Sequence, residues 1–207
     1  TIRLKAEYIS AKSSIEKDRI GNSGITVFKA DLPTAPLQHH LDKRKDDEIP
    51  VAKTEAEAIE VILKDTIGIN DRESTIDKIK KIGGYLGSKL DAAEGNPTST
   101  INGLSVFQQY KASFSGQKLW CGNYAQVFNL FAKAANIKSR VVHIGRNYGI
   151  LKGNTHIFNE YFITELKQWA ALDLLFNNIM YTNASGKILN AVEVKNTDQA
   201  DSSVNVL

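Results

Sequence analysis

Two apolar runs separated by a short polar turn do most to limit what this chain can fold into. Asn154 to Ile163, rich in aromatic and β-branched residues, reads as a strand, and Trp169 to Phe176 reads as a second, with Thr164 to Gln168 as the hairpin turn between them. Two side chains, one in each run, stand out chemically. These are His156, one of four histidines in the chain, and Asp173. Burying an imidazole and a carboxylate apart from each other is costly, so the pattern predicts that the two are partners.

Upstream lies Leu119-Trp120-Cys121-Gly122-Asn123-Tyr124-Ala125-Gln126-Val127-Phe128, which carries the only cysteine among 207 residues. Tyr124, Val127, Phe128, Phe131 and Ala135 recur at helical spacing and predict a helix with one buried face. Cys121 then falls in the first turn, where unpaired N–H groups and the positive end of the helix dipole favour a thiolate, the nucleophilic form. A lone cysteine is ordinarily a small inert hydrophobe. Here a nucleophile, a base and an acid that orients the base follow in the order Cys121, His156, Asp173, on a helix start and two paired strands.

These residues resemble the transglutaminase-like superfamily, the circle of papain-related folds that includes transglutaminases and peptide N-glycanases. The family's nucleophile motif is similar to Cys121-Gly122-Asn123-Tyr124-Ala125, and its segment after the helix to Asn136-Ile137-Lys138-Ser139-Arg140-Val141-Val142. Asn136 stands where glycine is usual, a mild change because Asn tolerates the left-handed C-cap conformation. The histidine strand is matched by His156 and Glu160 and the final motif by Trp169 and Asp173, with Leu174 where a proline often follows. The resemblance runs from Thr54 to Tyr181. It implies an α+β, papain/transglutaminase-like fold in which N-terminal helices, including the nucleophile helix, pack on an antiparallel β-sheet. It also implies Cys121, His156 and Asp173 as a catalytic triad, and a thioester acyl-enzyme formed from an amide bond of a peptide, a protein or another amide-containing substrate. No cofactor and no metal are expected, since calcium-dependent relatives carry extra β-domains and acidic loops for which this chain has no room. Hydrolysis and transfer to an amine both remain open, as does a non-catalytic peptide- or glycan-binding module that keeps the fold.

Composition narrows the remaining classes. Hydrophobic residues make up 42% and charged residues 24%, ordinary values for a globular domain with a real core. The net charge of +3 is spread along the sequence, unlike the clustered charge of nucleic-acid binders. No apolar run approaches the ~20 residues of a membrane span. One cysteine excludes an intrachain disulfide, which suits a reducing compartment without demanding one. The chain begins at Thr1, as a processed or truncated chain would, so it could be part of a larger protein and a bacterial cytoplasmic or an exported location both remain open.

The organisation expected is an N-terminal extension over 1–53, a transglutaminase-like domain over 54–195 and a polar tail over 196–207. In the extension, Ile2 to Ile9 and Gly24 to Ala30 read as strands. His39-His40 lies in a mixed-charge loop with too few converging ligands for a metal site. Thr54-Glu55-Ala56-Glu57 reads as a capping box opening a helix that buries Ile59, Ile62, Leu63 and Ile67 and stops at Gly68. A second helix is expected to start near Asp71 to Ser74 and run through Leu90, with Gly83-Gly84 either a kink or a close contact, and a short one at Val106 to Tyr110. The stretch from Ser113 to Lys118 should approach the cleft. Gln117 is either an oxyanion donor beside the Cys121 N–H or a polar loop residue, and Trp120 either walls the acyl pocket or packs under the helix. Arg140 and His143 lie on a strand from Ser139 to Ile144, with His143 structural or at the cleft rim and Glu160 within reach of Arg140. Gly145 to Gly153 reads as a loop beside the site, and Lys187 to Val192 as a last strand.

Overall fold

A computed structural model describes residues 49–145 and 155–196. Expectations for the strands and histidine pair before residue 49, for most of the glycine-rich loop and for the tail from 197 lie outside those residues.

The first helix, α1 (Lys53–Val61), runs into a single wider turn at Ile62–Thr66, where the Ile67 N–H reaches back to the Ile62 carbonyl. Ile59 and Leu63 are buried as the periodicity requires, and Gly68, at φ +73°, lets the chain turn away. The expected capping box at Thr54 does not form. The helix begins two residues earlier, behind Ala52, whose carbonyl accepts from the Glu55 and Ala56 N–H groups, so Thr54 lies within the first turn. Ser74 does cap α2 (Thr75–Leu90), its hydroxyl accepting from the Asp77 N–H at 3.1 Å. That helix carries Ile79, Ile82, Leu86 and Leu90 into the core and continues unbroken through Gly83-Gly84.

A short α3 (Ser99–Asn102) leads to α4 (Val106–Ser113), opened by a complete capping box between Ser105 and Gln108. Next comes α5 (Cys121–Ala134), whose Tyr124, Val127, Phe128 and Phe131 are all buried. Asn136 follows at φ +59°, the left-handed stop expected of it. The chain then makes β1 (Ser139–Gly145), β2 (Thr155–Ile163) and β3 (Gln168–Leu172), an antiparallel sheet in the order β1-β2-β3. The hairpin turn between β2 and β3 includes Lys167 at φ +52°.

Period-two alternation divides the sheet's contacts. Tyr161, Ile163, Ala170 and Leu172 join α2 and α5 in the main core, whereas Val142, Phe158 and Ala171 pack with Ala191 and Val192 on the other face. Burial of each of the larger aliphatic or phenylalanine side chains stabilises the fold by about 1.5–3 kcal/mol, and Phe128→Ala at the centre would cost about 3–5 kcal/mol. The described residues are thus an α+β assembly of six α-helices and a three-stranded antiparallel sheet.

The expected strand at Lys187 to Val192 is replaced by a Thr182–Ile188 bridge followed by α6 (Ala191–Asn196). Asn190 explains the change. Its side chain accepts from the Val192 and Glu193 N–H groups while Glu193 accepts from the Asn190 N–H, a reciprocal cap that outweighs the β-branched residues around it. No helix among the described residues is long and apolar enough to cross a membrane.

Candidate active site

Cys121 is the first residue of α5, and the helix is fixed at that end from behind. Trp120 has no side-chain acceptor with which to cap it. Instead Asn123 accepts from the Trp120 N–H at 3.1 Å and donates to Gln109 of α4 at 2.8 Å, and Gln109 donates onward to the Leu104 carbonyl at 3.0 Å. Each member of this buried chain is satisfied, so the start of α5 is held to α4 by directional bonds. Farther along, the Tyr124 hydroxyl donates to the Leu90 carbonyl at 2.6 Å and Asn159 of β2 donates to the Ala125 carbonyl at 2.9 Å. The first turn of α5 is therefore tied to both α2 and the sheet.

His156 and Asp173 reach the same place along the sheet. Glu160 pairs with Ala171 in the β2–β3 register, so stepping by two puts Phe158 and His156 on the face that Asp173 shares with Ala171. Asp173 lies just past the end of β3, where its backbone exchanges two hydrogen bonds of 2.8 Å with Asn178. This tight return presses on α2 through two glycines. A side chain at Gly83 would meet Ile179 at 3.2 Å, and one at Gly87 would meet the Asn177 amide oxygen at 2.6 Å, so the glycines serve close packing rather than a kink.

The three side chains meet. His156 Nε2 hydrogen-bonds the Asp173 carboxylate, and the Cys121 thiol lies near enough to the imidazole for each to shift the ionisation of the other. Burial pushes the Cys121 thiol up, but the His156 hydrogen bond, the N–H of Ile157, the imidazole charge and the N–H of Gly122 outweigh it and hold the thiol below its ordinary value. Burial likewise opposes the charged form of His156, yet its hydrogen bonds to Asp173 and Cys121 and their negative charges raise it to about 9. Both directions favour a thiolate-imidazolium pair near neutral pH.

The other expected residues separate. Trp120, next to Cys121 in the chain, is 50% exposed, so it does not pack under the helix. Gln117 lines a different concavity, with Thr98, Thr100, Ile101, Leu104 and Ala112, and no hydrogen bond among the described residues links its side chain to Cys121. Glu160 binds Arg140 at 2.6 Å and accepts from the Ala191 N–H at 2.7 Å, while the Arg140 guanidinium lies 3.7 Å from the centre of the Trp169 ring. His143 pairs with Ile157 in the strand register. Among the described residues no three His, Cys, Asp or Glu side chains gather as a metal site would require.

Sequence reasoning missed four contributors. The Ile157 N–H facing the thiol has no sequence signal, because a backbone group carries none. Asn123 and Gln109 had one, an amide three residues beyond the helix cap. Phe176 was read as one more apolar residue of its run, yet its ring centre lies 5.2 Å from that of His156 and it is 61% exposed.

A thiol at a helix start, facing an imidazole that a carboxylate holds from a neighbouring strand, defines a class of protein with a cysteine, a histidine and an aspartate convergent on an antiparallel sheet. The family model for the Transglutaminase-like superfamily matches residues 63–174, more than half of the chain, and the chain belongs to that superfamily. Its members commonly carry a Cys-His-Asp triad and include cysteine-dependent enzymes. No curated protein and no solved structure matches the chain.

Proposed function

We propose that this protein is a thiol-dependent acyl-transfer enzyme acting on an amide bond, as a peptidase or amidase or by transglutaminase-type transfer, with Cys121 as nucleophile, His156 as general base and acid, and Asp173 as the group that orients the imidazole. The observation that carries the reading is the hydrogen bond from imidazole to carboxylate beside Cys121, with the thiol lowered and the imidazole raised. The papain-like arrangement and the division into an extension (1–53), a domain (54–195) and a tail (196–207) belong to the same proposal.

In this mechanism His156 holds the proton taken from Cys121, and the thiolate attacks the amide carbonyl carbon. The oxyanion that forms meets the Cys121 N–H, one of the first-turn donors with no partner inside the helix. The imidazolium passes its proton to the departing amine as the C–N bond breaks, leaving a thioester on Cys121. Water or a second amine then attacks the thioester, His156 takes the proton of the attacking group, and the thiolate is released. Asp173 keeps Nε2–H as the donor to itself, which leaves Nδ1 for the sulfur.

Acylation by p-nitrophenyl acetate tests this reading. About one equivalent of p-nitrophenolate per chain should be released in a burst, with acetyl on Cys121 by mass spectrometry, followed by slower turnover. Cys121→Ala should abolish the burst and His156→Ala should slow it by about 10²–10⁴-fold. A burst that survives Cys121→Ala, or that is indifferent to His156, sinks the proposal and leaves a binding module as the better account.

A further inference from the structure

The run Leu174-Leu175-Phe176 directly after Asp173 is apolar throughout, yet its members are not treated alike. Leu174 is buried and Leu175 packs against the core, whereas Phe176 stands 61% exposed. It is not on a slack loop. The Asn177 N–H donates to the Leu174 carbonyl at 3.1 Å, Asn177 adopts φ +53°, its side chain lies against Gly87, and the double hydrogen bond between Asp173 and Asn178 closes the turn. A turn so fastened holds the benzyl ring at a set place, tilted 34° to the His156 imidazole. The imidazole lies against the ring, and the side chain remains 61% exposed.

The large hydrophobic residues that remain exposed among the described ones are Val51, Val61, Phe114, Trp120, Leu166 and Phe176. Two of these six adjoin the reacting groups, Trp120 through the peptide bond to Cys121 and Phe176 through its contact with His156. Apolar surface left in water at these two places would be covered by a bound apolar group. We infer that Phe176, with Trp120, receives an apolar side chain, aromatic or branched aliphatic, on the acyl side of the scissile amide, and that Phe176 is a specificity-determining residue. The inference rests on the reading of Cys121 as the nucleophile and adds the substrate class. The opposite preference, an acidic side chain drawn by the imidazolium, is an outcome of the same test.

The probes are the chloromethyl ketones of N-acetylphenylalanine, N-acetylalanine and N-acetylaspartate, with alkylation of the full chain at pH 6.5 followed by intact mass. The phenylalanine reagent should react at least about tenfold faster than the other two, in line with what an apolar pocket distinguishes. Phe176→Ala should bring the phenylalanine-to-alanine rate ratio down about tenfold, and Phe176→Leu should keep most of it. Equal rates in the native chain, a faster aspartate reagent, or a ratio unchanged in Phe176→Ala would overturn the inference. Rapid alkylation with no preference removes only the apolar subsite. Slow alkylation by all three, at the rate of a free thiol, removes the nucleophile reading as well, so the two failures are told apart.

Discussion

Two acid–base pairs lie on one face of the same sheet, four residues apart along β2, and they serve opposite ends. Arg140 and Glu160 are 4% and 0% exposed and held at 2.6 Å, with the second Glu160 oxygen occupied by the Ala191 N–H and the guanidinium covered by Trp169. Every group in that pair has its partner among its neighbours, which is the condition under which a buried charge is tolerated. His156 and Asp173 share the chemistry of charge on charge, but His156 is 31% exposed and lies beside a thiol whose ionisation it favours. A pair closed on itself holds structure in place. The pair with one valence left for a nucleophile can move a proton.

Substitutions at the two pairs should therefore separate activity from stability. Asp173→Asn should cause the largest change, lowering the acylation rate by about 10³-fold through loss of imidazole orientation and charge, with a melting temperature close to the native value. A melting temperature that collapses with it would make Asp173 a structural residue like Glu160. Arg140→Ala should do the reverse, costing about 3–5 kcal/mol in denaturant unfolding because the Glu160 charge is left buried and alone, while Cys121 in the folded fraction stays reactive. If thiol reactivity disappears in the fully folded variant, the pairs are not separable.

The smallest effect concerns pH. The folded-state value of His156 is raised from 6.5 to about 9, so its pairing contributes stability that is complete below 6.5 and is lost as pH rises through about 9. Cys121 is lowered, so its contribution is present above its unfolded value and is lost as pH falls, which offsets the histidine in the native chain. In Cys121→Ala the histidine is left alone with Asp173. That variant should lose stability as pH rises above about 6.5 in chemical denaturation, and adding Asp173→Asn should flatten the slope. A flat profile in Cys121→Ala itself would mean that Asp173 does little to charge the imidazole.

The site was more legible in the sequence than its surroundings were. Helical spacing from Tyr124 to Phe131 and the two apolar runs around Lys167 placed three chemically distinct side chains on α5, β2 and β3, and Asn136 marked the end of the helix. Period and composition specify those elements strongly because one face of each is buried. Helix ends were harder. Thr54 had the composition of a cap and lies inside α1, whereas Asn190 and Glu193 formed a true reciprocal cap within a stretch whose apolar residues suggested a strand. Local hydrogen bonds decide such cases, and they depend on which backbone groups tertiary packing leaves unpaired. For the same reason the fastening of α5 by Asn123 and Gln109, and the exposure of Phe176, emerge only when distant segments are together.

The central claim is that His156 ionises Cys121, and the pH dependence of iodoacetamide alkylation, in the native chain and in His156→Ala, tests it most directly. With intact mass as readout, native labelling should stay fast down to about pH 6, and the variant should follow an ordinary thiol, with its midpoint near pH ~8.5. Superimposable profiles with midpoints near that ordinary value would contradict the account.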